Sequence, residues 1–152
     1  YGRLKIKIEN ELLRLPPAKF VLARLPMVFG NHSPRIQELD QAMNTNQPIE
    51  VFPNTIINVN NDIKLSQQIH YIINQQLTGI FHLGSIDLIH HFDFIKLIIQ
   101  KRYHRKAVYK LVYTTNQMRY LAVLAKENKL PKNLLFSYTE ILDDLTLIKR
   151  DF

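Results

Sequence analysis

Tyr1 and Lys5 are the residues whose types and spacing most directly suggest chemistry. Four positions apart on a helix, a phenol and an ammonium share one face about a turn apart, and the cation favours phenolate over phenol. A phenol with an ordinary pKa of about 10 is a poor acid at neutral pH, and a neighbouring cation makes reversible proton donation to a carbonyl feasible. In that arrangement lysine is the helper and tyrosine the actor. Taken alone, the pair has an ordinary alternative, the solvated edge of a basic amphipathic helix.

Other candidates for chemistry are sparser. Six histidines, His32, His70, His82, His90, His91 and His104, are scattered without a His-Glu-x-x-His motif or carboxylates at metal-ligand spacing, so no metal site is expected. His82 lies in an apolar stretch, where a hydrogen-bonded core histidine is the simpler reading, and His90-His91 reads as a turn before a helix. The basic run Lys101 to Lys106, with Tyr103 inside it, could pair phosphate contacts with aromatic stacking on a nucleic acid, or be a solvated helix end. Gly2, Gly30, Gly79 and Gly84 are too dispersed to form a glycine-rich loop around a pyrophosphate. With no cysteine, the chain has no disulfide framework, thiolate metal site or thiol nucleophile.

The elements that must position these residues alternate between helix and strand. Leu4, Ile8, Leu12 and Leu15 recur at helical spacing until Pro16-Pro17 ends the pattern, so the helix begins at or before Tyr1. Phe20 to Phe29, closed by Gly30, reads as one strand buried on both faces. After the turn Asn31 to Pro34, a short helix is sketched by Ile36, Leu39 and Met43, and it fades into the polar stretch Asn44 to Gln47. A strand Ile49 to Phe52 follows, then a helix capped by Asp62 with the stripe Leu65, Ile69, Ile72 and Ile73. Gly79 to Gly84 brackets a short strand, Phe92, Ile95, Ile98 and Ile99 mark a helix, and Tyr138 to Leu147 marks a last one capped by Thr139 or Ser137. The segment around Val108, Leu111 and Val112 has no assignable period.

The 152 residues, 46% of them hydrophobic, suffice for one compact unit with a core. Twenty Lys and Arg against 13 Asp and Glu leave a formal charge of +7, which favours anionic partners without choosing among them. No apolar run reaches the roughly 20 residues of a membrane span, and the opening is not that of a signal peptide, so a cytoplasmic location and no membrane partner are expected. Starting on Tyr1 in place of methionine, the chain reads as an internal piece of a longer protein.

Three segments in order, Tyr1-Gly2-Arg3-Leu4-Lys5, Arg24-Leu25-Pro26-Met27-Val28-Phe29-Gly30 and Gly79-Ile80-Phe81-His82-Leu83, resemble the extended short-chain dehydrogenases/reductases of the NAD-dependent epimerase/dehydratase superfamily. Within it the likeness is to the dTDP-4-dehydrorhamnose reductase group, with its Tyr-Gly-x-x-Lys helix, Arg-x-x-x-Val-[Tyr/Phe]-Gly strand end and Gly-Ile-[Tyr/Phe]-His-Leu strand. The resemblance implies an α/β fold: the last helix and strand of a Rossmann-like doubly wound sheet over residues 1–30, then a small mixed α/β substrate-binding subdomain over 31–152. It implies that Tyr1 protonates a sugar ketone while Lys5 also touches the nicotinamide ribose. Pro26, Met27 and Val28 would lie near that cofactor, with core packing an equal reading for Met27 and Val28 and a structural anchor the reading for Arg24. Arg119 falls where relatives place an arginine on the nucleotide-sugar diphosphate, a task that suits a bidentate guanidinium, although Tyr120 stands where a proline usually follows. Asp62 matches the acid of a Pro-Thr-x-x-x-Asp segment, with Ile57-Asn58 in place of Pro-Thr.

The expected function is therefore that of the C-terminal part of an NAD(P)H-dependent nucleotide-sugar reductase acting on a 4-keto sugar, inactive by itself. The cofactor, NADP or NAD, would be held mainly by a missing N-terminal half, and the partners would be that half, a dTDP- or UDP-linked sugar and, through the cut sheet, other copies of the chain. A non-catalytic relative that binds a nucleotide-sugar or a protein is the first alternative, and a basic nucleic-acid-binding domain is the second.

Overall fold

The computed structural model describes residues 2–147, with the side chain of Leu147 left aside. Tyr1 lies outside the described residues. Helix α1, Gly2–Leu12, buries none of its residues. A 3-10 turn at Pro17–Lys19 leads into two short strands, β1 (Val21–Arg24) and β2 (Met27–Val28). The apolar run Phe20 to Phe29 suggested a single strand buried on both faces, and this is corrected on both counts. Pro26, which has no N–H to donate to a ladder, stands between two strands that pair with different partners. Val21 and Leu25 are exposed rather than buried.

Helix α2 runs Pro34–Thr45, longer than its fading apolar pattern suggested. Ser33 accepts from the Ile36 N–H and Pro34 pre-sets the first turn. Asn46 ends it in the left-handed region at φ 53°. Three short strands follow, β3 (Ile49–Val51), β4 (Thr55–Ile57) and β5 (Val59–Asn60). Helix α3, Asp62–Asn74, is capped by Asn61, whose Oδ1 accepts from Lys64 N at 2.7 Å. Asp62, expected to be the cap, is instead the first helical residue. Its carboxylate lies so close to Gly30 that a Cβ there would stand 2.8 Å from Oδ2.

Next come β6 (Gly79–His82), β7 (Ile89–His90), α4 (His91–Tyr103), β8 (Tyr109–Leu111), β9 (Arg119–Leu121), a 3-10 turn at Lys132–Leu134 and α5 (Tyr138–Leu147). The His90-His91 pair is not a turn: His90 ends β7, and His91 is a buried first residue of α4. At α5 the cap is Ser137, which with Glu140 forms a reciprocal capping box.

The strands pair β1 with β6, β2 with β5, and β3 with β8, all in parallel, while β4 lies between β7, antiparallel, and β9, parallel. One core joins Phe29, Ile36, Val51, Ile57, Phe94, Ile98, Phe136 and Leu142, drawing on α2, α4, α5 and the strands between them. A smaller cluster of Ile72, Phe81, Leu83 and Leu130 sits under β6. The α3 stripe is only partly buried: Gln68 and Ile72 point inward, while Ile73 is 67% exposed. Among the described residues no helix is long and apolar enough to cross a membrane.

Candidate functional site

Lys5, Ile8 and Glu9 occupy one face of α1, as residues three and four apart must. That face meets Leu22, Ala23 and Arg24 of β1, with Leu25 and Val123, around an open cavity of about 460 Å³. Arg24 forms an ion pair with Glu9, and its Nη1 lies 3.0 Å from His82 Nε2. A guanidinium can only donate, so Nε2 accepts and the His82 proton sits on Nδ1. The hydrogen bond from Arg24 holds the Glu9 carboxyl below its ordinary range, against the opposing effect of burial. Burial, followed by the Arg24 charge, holds His82 below its ordinary value. Arg24 thus ties α1 to β6 through side chains on both, which gives α1 a fixed seat without any buried residue of its own.

Val123 is placed in the cavity wall by Asn58. The Asn58 amide is fully buried: Nδ2 donates to the Val123 carbonyl at 3.0 Å and to the Ser85 carbonyl at 3.1 Å, and Oδ1 accepts from Val123 N at 3.0 Å. Asn60, equally buried, donates to Leu83 O and to Gln68 Oε1, and Gln68 in turn donates to Leu134 O. Ser85 Oγ accepts from Val59 N. These amides do the work of a ladder where the strands are only two or three residues long. Gly84 is required by the same packing, because a Cβ there would collide with the Asn58 amide and with Pro26. The signal in the sequence was the alternation Ile57-Asn58-Val59-Asn60-Asn61, polar amides set inside an apolar run.

The remaining expected site residues lie elsewhere. Met27 and Val28 pair with Val59 and Asn60 in the β2–β5 ladder, and Met27 packs against the main core. Neither these two nor Pro26 lines the Lys5 cavity, whose wall on this side ends at Leu25. Arg119 is not on that wall either. On β9 its N–H donates to Asn54 O and its Nη1 donates to Thr114 Oγ1 at 2.6 Å, which turns the guanidinium toward its own loop. Asn54 braces that loop by donating to the Thr115 and Gln117 carbonyls. Its Oδ1 is the one buried side-chain polar atom without a partner among the described residues. The basic run Lys101 to Lys106 is divided: Lys101 pairs with Asp143 at 2.5 Å, and Arg102 binds Asp40 and the Leu145 carbonyl, fastening α4 to α2 and α5. No group of His, Asp and Glu fit to hold a metal exists among the described residues.

No family model matches the sequence, and no curated protein matches it. Solved structures do. The dTDP-4-dehydrorhamnose reductase of Bacillus anthracis, in complex with NADP, superposes with a TM-score of 0.74 at 21% identity, over 95% of this chain and 52% of that one. A dTDP-4-dehydrorhamnose reductase from Clostridium acetobutylicum gives 0.69 at 15% identity, over 96% of this chain and 54% of that one. This chain has the fold of the C-terminal part of those reductases. It spans about half their length. The same fold extends to the UDP-N-acetylglucosamine 4-epimerase of Methanobrevibacter ruminantium, in complex with UDP-N-acetylmuramic acid, with a TM-score of 0.63 at 13% identity, over 94% of this chain and 48% of that one.

Proposed function

We propose that this chain is the substrate-side part of an NAD(P)H-dependent nucleotide-sugar reductase that reduces a 4-keto sugar. The observation that carries the reading is the match of nearly the whole chain to dTDP-4-dehydrorhamnose reductases at a TM-score of 0.74. The cavity between α1 and β1 supports it, since Lys5 lines its wall.

When bound, the nicotinamide cofactor supplies the hydride. Of the residues expected at its nicotinamide-ribose end, Lys5 lines the cavity and would meet a ribose hydroxyl there, while Pro26, Met27 and Val28 lie outside that wall. Tyr1 Oη gives its proton to the sugar carbonyl oxygen, and Lys5 stabilises the phenolate that remains. The Glu9–Arg24–His82 chain keeps the helix bearing Lys5 at a fixed height over β1. Arg119 reaches the substrate diphosphate in this reading by exchanging its Thr114 bond for phosphate oxygens.

In the longer protein of which this chain would be part, Tyr1→Phe loses turnover on a dTDP-4-keto sugar while cofactor binding persists. Undiminished turnover would refute the assignment. The second reading, a non-catalytic relative that binds a nucleotide-sugar or a protein partner, is favoured by two observations. Arg119 is engaged with Thr114, and Asn58, where the reductases have Pro-Thr, is given over to backbone hydrogen bonds. Cofactor binding without turnover across a panel of keto sugars selects that reading.

A further inference from the structure

Beyond the last turn of α4 the chain passes through His104, held in the left-handed region at φ 51°, and turns back into β8. The turn leaves a cavity of about 620 Å³ whose lining includes Lys96, Ile99, His104, Arg105, Lys106 and Tyr109, and no acidic residue. Elsewhere on this side of the molecule the cations have acidic partners: Lys101 has Asp143, Arg102 has Asp40 and Lys110 has Glu50. Lys96, Arg105 and Lys106 have none among the described residues. Arg105 donates to the Met43 carbonyl, which fixes its guanidinium without neutralising it. Lys101 and Arg102 already complement the carbonyl end of α4, so the three remaining cations exceed what the helix dipole calls for.

Three uncompensated cations around a concave, partly apolar surface repel one another unless an anion joins them. The volume is within the range of small-ligand sites, roughly 300 to 1,000 Å³. Arginine and lysine are the side chains suited to phosphate oxygens, and Tyr109, half-buried with its ring edge-on to Phe92 at 5.2 Å, offers a fixed aromatic wall to a flat ring. We propose that this cavity binds a small phosphomonoester carrying a planar ring, a nucleoside monophosphate in chemical class. The site is separate from the Lys5 cavity and from Arg119, and it does not depend on the reductase reading.

Calorimetric titration of the chain at low ionic strength with adenosine monophosphate, adenosine and inorganic phosphate tests it. The expected order is adenosine monophosphate tighter than either part by about tenfold or more. Replacing the two exposed amines, Lys96→Gln with Lys106→Gln, weakens the monophosphate by about tenfold or more at an unchanged melting temperature, and Arg119→Ala leaves it alone. Absence of binding, equal affinity for adenosine or for phosphate, or indifference to the double substitution overturns the proposal. Loss in Arg119→Ala alone would assign the binding to the substrate site. A short single-stranded oligonucleotide bound far more tightly through the same lysines would make the surface a nucleic-acid interface, and would equally overturn it.

Discussion

Asn58 shows how much a single amide carries here. It satisfies three backbone groups, on Val123 and Ser85, with no exposure to water. Asn58→Leu keeps the branched outline, adds some bulk and strands those groups, so unfolding in urea should show a loss of about 3 kcal/mol. His91 sets the pH response. Its ring is buried, with Nδ1 accepting from Phe52 N, and burial, with the Arg35 charge behind it, pushes its pKa from 6.5 down to about 4. The unfolded chain takes up that proton first as pH falls. The contribution is therefore whole above pH 6.5 and is lost toward pH 4, by about 3 kcal/mol at most. His91→Gln should flatten that part of the stability–pH curve, and an unchanged slope would exclude His91 as its source. Neither role was legible in the sequence, because burial of a polar residue depends on what folds over it. Lys5 stood out only because the Tyr-Gly-x-x-Lys motif is followed by two others in order, whereas the engagement of Arg119 with Thr114 depends on a loop that no local pattern describes.

Elements with a clear period were legible, and very short ones were not. The apolar spacing of α4 and α5 gave both helices, since each turns a full stripe to the core. Strands β4, β5 and β9 are two or three residues long, too short for an alternation to register. The break at Pro26 was written in the sequence but overshadowed by the apolar run around it. The cap of α3 sits at Asn61, one residue before the expected acid, and Asn61 also donates to Asp144 at 2.8 Å. Asn61→Ala should therefore lower stability by about 1 to 2 kcal/mol, while Asp62→Ala should have a smaller effect. Helix α1, which buries nothing and depends on the Arg24 bridge, should exchange its amide protons faster than α4 by orders of magnitude, and Arg24→Ala should widen the gap. Equal protection of the two helices would contradict that account of α1.

Among the described residues, apolar surface faces solvent in several places, two of them beside the Lys5 cavity and β1. Leu4, Ile6 and Ile8 are exposed on α1, and Val21, Ile69 and Ile73 surround an apolar hollow of about 490 Å³ beside β1. Such surface favours association, so sedimentation should show concentration-dependent self-association that Ile73→Lys reduces. A monomer at every concentration would count against it. The α/β class was legible from three spaced motifs, because each sits at a helix or a strand whose place in the chain the sequence records. The fold matches the C-terminal part of reductases about twice as long, which leaves substrate recognition as the claim this chain can test alone. The most direct measurement is the melting temperature of the chain carrying Lys96→Gln and Lys106→Gln, with and without dTDP- and UDP-linked sugars. Binding to the folded form alone must raise it. The account predicts a rise with the nucleotide-sugar that Arg119→Ala abolishes; no rise with any of them, or a rise indifferent to Arg119, would contradict it.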